Sequence, residues 1–165
     1  KAGIAKKDAI EVVGFGQVEA DLTTPPTDLT RLDTTEEAVK RALASAGIGP
    51  EELGTVECHD CFTITGILSV EAIGLAKQGE GADFVSAGHT ARNGKIPFNT
   101  TGGLVGWGHP TGASGVRQAV TIWEQLTRKA GKWQVEIPES RPYALSISMG
   151  GNDRTVVAIV YRRGM

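Results

Sequence analysis

Three short stretches of this chain hold side chains whose types and spacing could do chemistry. The densest is Cys58-His59-Asp60-Cys61, set where a strand pattern stops and a helix pattern starts. A C-x-x-C redox motif is one literal reading, since a helix N-terminus lowers a thiol pKa, but the order of elements around it is not that of a redox fold. A zinc site needs about four ligands, and only His89 and His109 remain to complete one. The bland reading buries Cys58 and has Asp60 cap the following helix. His59 and Cys61 are placed as an acid/base pair would be: an imidazole and a thiol at a strand-to-helix turn, near a helix dipole.

The second stretch is Gly106-Trp107-Gly108-His109-Pro110-Thr111-Gly112. Gly108 and Pro110 hold the backbone of His109 and leave its ring open to close approach. The glycines do not make a dinucleotide fingerprint, because their spacing is one residue too long and no clear strand precedes them. Gly88 to Gly94-Lys95 lacks the spacing and the Ser/Thr of a phosphate loop. The third stretch, Ser146-Ile147-Ser148-Met149-Gly150-Gly151, reads either as a plain turn or as a source of backbone N–H donors for an oxyanion. Asn99-Thr100-Thr101 spells a glycosylation sequon, for which the rest of the chain gives no reason.

These stretches need elements to hold them. Residues 9–20 read as a strand in which Gly14 and Gly16 mark a bulge or a close backbone approach. Thr34 and Glu37 suggest a capping box before a helix carrying Ala38, Val39, Ala42, Leu43 and Ala46 on one face, closed by Gly47. Residues 54–58 are a short strand, and 62–77 a second helix with Ile64, Ile67, Leu68, Ala72 and Leu75 in register and Gly79 as its stop. A glycine-rich connection over 79–111 has no strong periodicity, which in a compact domain points to function. A third helix is expected over Gly112–Ala130, with Val116, Ala119, Val120, Trp123 and Leu126 facing the core and Gly112 and Gly115 leaving little room for bulk. Residues 143–149 and 155–161 form a closing hairpin. The order β-α-β-α-loop-α-β-β makes an α/β domain.

Composition agrees with one ordinary globular domain over residues 1–165: 40% hydrophobic and 22% charged, long enough to bury roughly 70% of its unfolded surface. A net charge of −2 argues against a nucleic-acid partner. No apolar run approaches the ~18 residues of a membrane span. Glycine is the anomaly, with 22 in the chain and ten of them between Gly79 and Gly115. The chain opens on Lys1 with no initiator Met and no leader, which suggests one piece of a longer polypeptide. Its compartment stays open, the ending Arg162-Arg163-Gly164-Met165 not being a Ser-Lys-Leu address.

Together the three stretches resemble the C-terminal half of a thiolase of the sterol-carrier-protein-2 type. The resemblance covers nearly the whole chain and rests on His59-Asp60-Cys61-Phe62, on Gly108-His109-Pro110 with Thr111 to Gly115, and on Ser148-Met149-Gly150-Gly151. Most thiolases carry Asn-Glu-Ala-Phe at the first and Cys-x-Gly at the third. The cysteine lost at Ser148 is matched by the one gained at Cys61, and this pair of departures selects the subfamily. The resemblance implies a mixed five-stranded sheet with helices on both faces. It implies Claisen condensation or thiolysis of 3-oxoacyl-CoA, the chemistry of acetyl-CoA acetyltransferases and of fatty-acid β-oxidation within lipid metabolism. His109 would activate the nucleophile and, with His59, form one oxyanion hole; Cys61 would move protons; the Gly150 N–H would serve a second oxyanion hole. Asp60, Phe62, Gly108, Pro110 and Ser148 would support the motifs. No covalently bound cofactor is implied, and coenzyme A enters as part of the substrate. The implied partners are an N-terminal thiolase half carrying the nucleophilic cysteine, which this chain lacks outside residues 58–61, and a second copy in a homodimer. Two other readings remain: a thiolase-like aldolase or synthase-complex partner, and a non-catalytic module carrying acyl-CoA or lipid. The thiolase reading requires His59, Cys61, His109 and the Gly150 turn to converge in one pocket. Rings of His59 and His109 on opposite faces of the sheet would end it.

Overall fold

The computed structural model describes residue 5 and residues 8–164, so that Lys1 and Met165 lie outside them. Four strands form one mixed sheet in the order β1-β4-β3-β2, with β1 over Ile10–Glu19, β2 over Leu53–Glu57, β3 over Tyr143–Gly150 and β4 over Thr155–Arg163. β4 is antiparallel to both β1 and β3, while β2 and β3 run parallel. The parallel pair matters most. It puts the C-terminal ends of β2 and β3 side by side, where the first and third candidate stretches lie.

Alternation along the strands sorts their side chains onto two faces. Leu145, Ile147, Val156, Ala158 and Val160 pack with α1 (Asp33–Ala46) and α2 (Thr63–Ile73). Ala144, Ile159 and Tyr161 meet Ile122 and Leu126 of α5 (Ser114–Leu126) on the other face. Gly14 and Gly16 act as expected: an added Cβ would come within 2.4 Å of Ala42 O and 2.1 Å of Ala38 O, and the register slips between Val12 and Gly14. Bare glycine backbone lets α1 lie directly on β1.

Several expectations need correction. Four strands stand where five were expected, because the fifth is reduced to a single parallel bridge, Val56 to Phe98. Val56 donates to Pro97 O (3.0 Å) and Asn99 donates back to Val56 O (2.9 Å). Pro97 has no N–H of its own and the glycine-rich chain turns away at once. The connection is also not structureless, since it holds two short helices, α3 (Gly81–Ser86) and α4 (Gly103–Trp107). α2 stops at Gly74, in the left-handed region at φ 87°, and Ile64 is exposed.

The third helix, α5, is shorter than the expected Gly112–Ala130, and the face it turns to the sheet is rotated: Ala119 and Leu126 pack inward as expected, Val116 and Val120 do not. Ser114, Gln118, Thr121, Ile122, Gln125 and Leu126 are buried, while Val116 and Val120 are 66% and 40% exposed. Its polar inner face is only partly satisfied: Gln118 Nε2 donates to Ile147 O (3.0 Å), while Gln118 Oε1 and Thr121 Oγ1 have no hydrogen-bond partner among the described residues. Gln125 alone donates to Thr100 Oγ1 and Trp133 O and accepts from Val135 N and Gln134 Nε2. Gly112 has open space around it, whereas a Cβ on Gly115 would sit 3.0 Å from Ser148 Oγ.

The cap of α1 is also not the local box of Thr34 and Glu37. Asp153, in the β3–β4 turn, accepts hydrogen bonds from the Thr34 and Thr35 N–H groups (both 3.0 Å) and from Thr35 Oγ1 (2.6 Å). A side chain 118 residues away closes the helix end. Asp153→Ala is expected to lower stability in urea by ~2–3 kcal/mol, from the lost cap and an alanine forced to positive φ. Asp153→Asn should recover part of that. Gly115→Leu is expected to cost ~1–3 kcal/mol by overpacking against Ser148, with Gly112→Ala within about 0.5 kcal/mol of the parent; equal effects at the two glycines would refute this placement of α5.

Candidate functional site

β2 ends at Glu57, and the chain continues through Cys58, His59, Asp60 and Cys61 into α2. Asn99 fastens this exit. Its Oδ1 accepts from Cys58 N (2.8 Å) and its Nδ2 donates to Cys58 O (3.2 Å), so one amide replaces the two backbone bonds of a neighbouring strand. Thr100 N and Oγ1 donate to the Glu57 carboxylate at 3.1 and 3.4 Å. With the strand end held, His59 turns inward and is only 6% exposed.

The long connection then brings His109 to it. The two rings lie 4.8 Å apart between centroids, at 83° to each other, in edge-to-face contact. His109 itself is exposed, as are Gly108 and residues 110–113. Its Nδ1 lies 2.7 Å from Ser114 Oγ, and that hydroxyl donates to Pro110 O (3.2 Å). With the hydroxyl proton committed to Pro110, Ser114 accepts from Nδ1–H, which leaves Nε2 as the lone-pair nitrogen. Burial, and then the charge of His109, hold the His59 pKa below its usual value, against a smaller opposite pull from Asp60. His59 is therefore a neutral imidazole at pH 7, and its Nδ1 is buried without a hydrogen-bond partner among the described residues.

The other candidates are distributed unevenly. Cys61 is a half-buried free thiol two residues after His59, with no hydrogen bond to either ring among the described residues. Asp60 does not cap α2 as expected. Its Oδ1 accepts from Leu104 N (2.8 Å), the first turn of α4. Phe62 is 71% exposed. Ser148 lies under Gly115 at the start of α5, and Gly150 ends β3, exposed and paired with Thr155. The first two stretches thus meet through their histidines; of the third, Ser148 is placed against Gly115 of α5.

Cys58 settles the redox reading. It is 1% exposed, and burial pushes its thiol up to about 12, so it offers no reactive thiolate. Among the described residues there is no group of three or more His, Cys, Asp or Glu that could hold a metal, and no helix is long and apolar enough to cross a membrane. A cleft of about 240 Å³ adjoins the junction, lined by Cys58, Asp60, Ile67, Phe98 and Val105 among others. A larger hollow of about 490 Å³ lies beyond the C-terminal end of α5 and contains none of the candidate residues.

Two groups escaped the sequence reading. Asn99 and Thr100 drew notice only as a sequon, although an amide that can mimic a peptide unit was the available signal. Glu57, 1% exposed, had none, because a strand-end glutamate ordinarily faces water.

Comparison with known proteins adds a lineage. Residues 17–163 match the family described as thiolase C-terminal domain-like. The chain is 40% identical over 136 residues to an acetyl-CoA acetyltransferase of Methanothermobacter thermautotrophicus, spanning 82% of this chain and 35% of that protein. It is 37% identical to sterol carrier protein 2 of Rattus norvegicus, over 80% of this chain and 23% of the relative. The chain thus spans about a third or less of the curated relatives it matches. In fold it superposes on the Ltp2-ChsH2(DUF35) aldolase with a TM-score of 0.78 at 18% identity, covering 92% of this chain and 39% of the other.

Burial raises the Glu57 pKa from 4.5 to about 7, against the pull of the Thr100 hydrogen bonds. The folded chain holds this proton more tightly than the unfolded one, so stability is lost as pH rises from about 4.5 to about 7. His59 works oppositely: with its folded pKa depressed, stability is lost as pH falls below its ordinary range. Glu57→Gln should remove the alkaline loss, on the order of 3 kcal/mol, and keep the acid one. Urea titrations at several pH values check this, and an unchanged alkaline slope in the variant would refute it.

Proposed function

The chain belongs to the thiolase C-terminal domain-like family, and on that footing we propose that it supplies the acid/base and oxyanion groups of a thiolase acting on 3-oxoacyl-CoA. The observation that carries the reading is the His59–His109 pair, two imidazoles from residues fifty apart set 4.8 Å apart at the end of a parallel strand pair. Elongation and thiolysis both develop negative charge on a thioester oxygen as the α-carbon becomes an enolate. Two N–H donors converging on that oxygen are worth several kcal/mol in a water-poor site.

The hydrogen bonds give each group a part. His109, with Nδ1–H held by Ser114, presents Nε2 to take the proton of a cysteine thiol brought by the N-terminal half. Once it carries that proton, Nε2–H turns donor toward the thioester oxygen. His59, kept neutral by its surroundings, donates without giving its proton away. Cys61 moves the proton at the substrate α-carbon or leaving thiolate, and the Gly150 N–H faces the carbonyl of the acylated cysteine. Substrate enters as a coenzyme A thioester, with no bound cofactor involved.

The exposed side chains fit a chain that works against another surface. Val116 and Val120 on α5 and Phe15 on the same side of the sheet are 66%, 40% and 64% exposed, and His109 is exposed as well. An N-terminal thiolase half is the partner proposed for this face, with pairing of whole subunits into a homodimer beyond it. A thiolase-like aldolase is the second reading. It is favoured by the fold likeness to the Ltp2-ChsH2(DUF35) aldolase.

Alone, the 165-residue chain should release no acetyl-CoA from a 3-oxoacyl-CoA, because it has no nucleophile to acylate. Joined to its N-terminal half, it should show a burst of acyl-enzyme followed by turnover. Cys61→Ala is expected to keep the burst and lose turnover by about 100- to 10,000-fold, the range for a general acid/base. His109→Ala should suppress the burst itself. Normal turnover by Cys61→Ala would move the proton transfer elsewhere, and C–C cleavage without any acyl-enzyme would favour the aldolase.

A further inference from the structure

The short helix α4 runs from a contact with Asp60, the residue after His59, to Trp107, two residues before His109, and each of its ends is gripped by a charged side chain from a different element. At its start, Leu104 N–H donates to Asp60 Oδ1 (2.8 Å), and Asp60 directly follows His59. Gly103 lies so close that an added Cβ would come within 2.0 Å of Asp60 Oδ2, and its φ of +61° is itself one for glycine. At its finish, the Arg117 guanidinium stands over the Trp107 ring, 5.6 Å from the centroid. Trp107 precedes His109 by two residues. Arg117 follows Ser114, the hydrogen-bond partner of His109, by three, close to one turn of α5. Arg117 Nε and Trp107 Nε1 are both buried without a hydrogen-bond partner among the described residues, so the stack is what orders the two groups. Behind them, the buried Glu57 carboxylate feels the Arg117 charge.

We infer that α4 is a strut setting the separation of His59 and His109, with Asp60 and Arg117 as positioning residues at its two ends. A five-residue helix has little stability of its own and keeps its place only through such contacts. With Arg117 removed, Trp107 loses its cover, and the exposed turn from Gly108 to Ala113 has one fewer tie to α5. The inference rests on the proposed function only in its consequence: the separation so set is the width of the oxyanion site.

The chain has three histidines, His59, His89 and His109, so imidazole signals in NMR spectra of the whole chain can be followed individually. His89 packs on Phe84 and serves as the reference. The groups that set the His59 titration are His109, Asp60 and its own burial. In Arg117→Ala the His59 titration should move upward toward the ordinary imidazole range, with His89 signals unmoved. Arg117→Lys, which restores a cation over the ring, should return it. A folded Arg117→Ala with the parent His59 titration overturns the strut. If Arg117→Ala does not fold, Trp107→Leu, which keeps bulk but removes the aromatic face, is read the same way. Joined to the N-terminal half, Arg117→Ala should lose about 10- to 100-fold in kcat with KM within about twofold, as for a misplaced reacting group. An assembled parent protein without acyl transfer would fail the functional reading alone, and the His59 titration would still decide the strut.

Discussion

The arrangement of this domain depends on how the outer edge of β2 is closed. β2 is five residues long and buried throughout, with β3 on one side only. On the other side it meets no full strand but a few residues of the long connection: Pro97 and Asn99 on Val56, the Asn99 amide on Cys58, and Thr100 on Glu57. Each bond answers a buried polar group that would otherwise cost ~1–3 kcal/mol. The closure has a second effect, because the residues that seal β2 also anchor the connection that carries His109. One set of contacts fixes the strand end at His59 and starts the second histidine on its return path.

This explains why polar groups occupy a buried face. Gln125 reaches Thr100, and Thr100 in turn holds Glu57, so α5, the connection and β2 are joined through side chains where a regular sheet would use backbone. Such a network is costly if any member is left unpaired and specific when all are paired. Glu57 carries the cost. Enclosed with few donors, its carboxyl holds its proton to about pH 7. The gain is a junction that cannot easily shift register, which fixes the strand end from which His59 emerges.

Rigidity on this side contrasts with openness on the other. His59 is enclosed, while His109, the glycine-rich turn around it and the outer stripe of α5 face outward. Under the proposed function, an imidazole that donates to an oxyanion gains strength as water leaves, and the half-open pair would be completed by the proposed N-terminal half. The apolar exposure of Val116, Val120 and Phe15 belongs with that surface.

The sequence by itself determined the family, the order of the main elements and the identity of the two histidines. These are written in local chemistry: glycine and proline flanking a histidine, alternating apolar strands, and helices ended by glycine. It also placed Gly14 and Gly16 as a site of close approach. Tertiary structure decided what local chemistry cannot specify. Asp153 caps α1 across 118 residues, Asp60 caps α4 and not the helix that follows it, and the fifth strand shrinks to one bridge at Phe98. The apolar stripe of α5 was read as core because periodicity tells which residues share a side, not which side the sheet takes. That choice goes with the partners that distant segments offer Gln125, from Thr100, Trp133, Gln134 and Val135. Hydrogen bonds between residues far apart in the chain leave no periodic trace, and they set the geometry of this site.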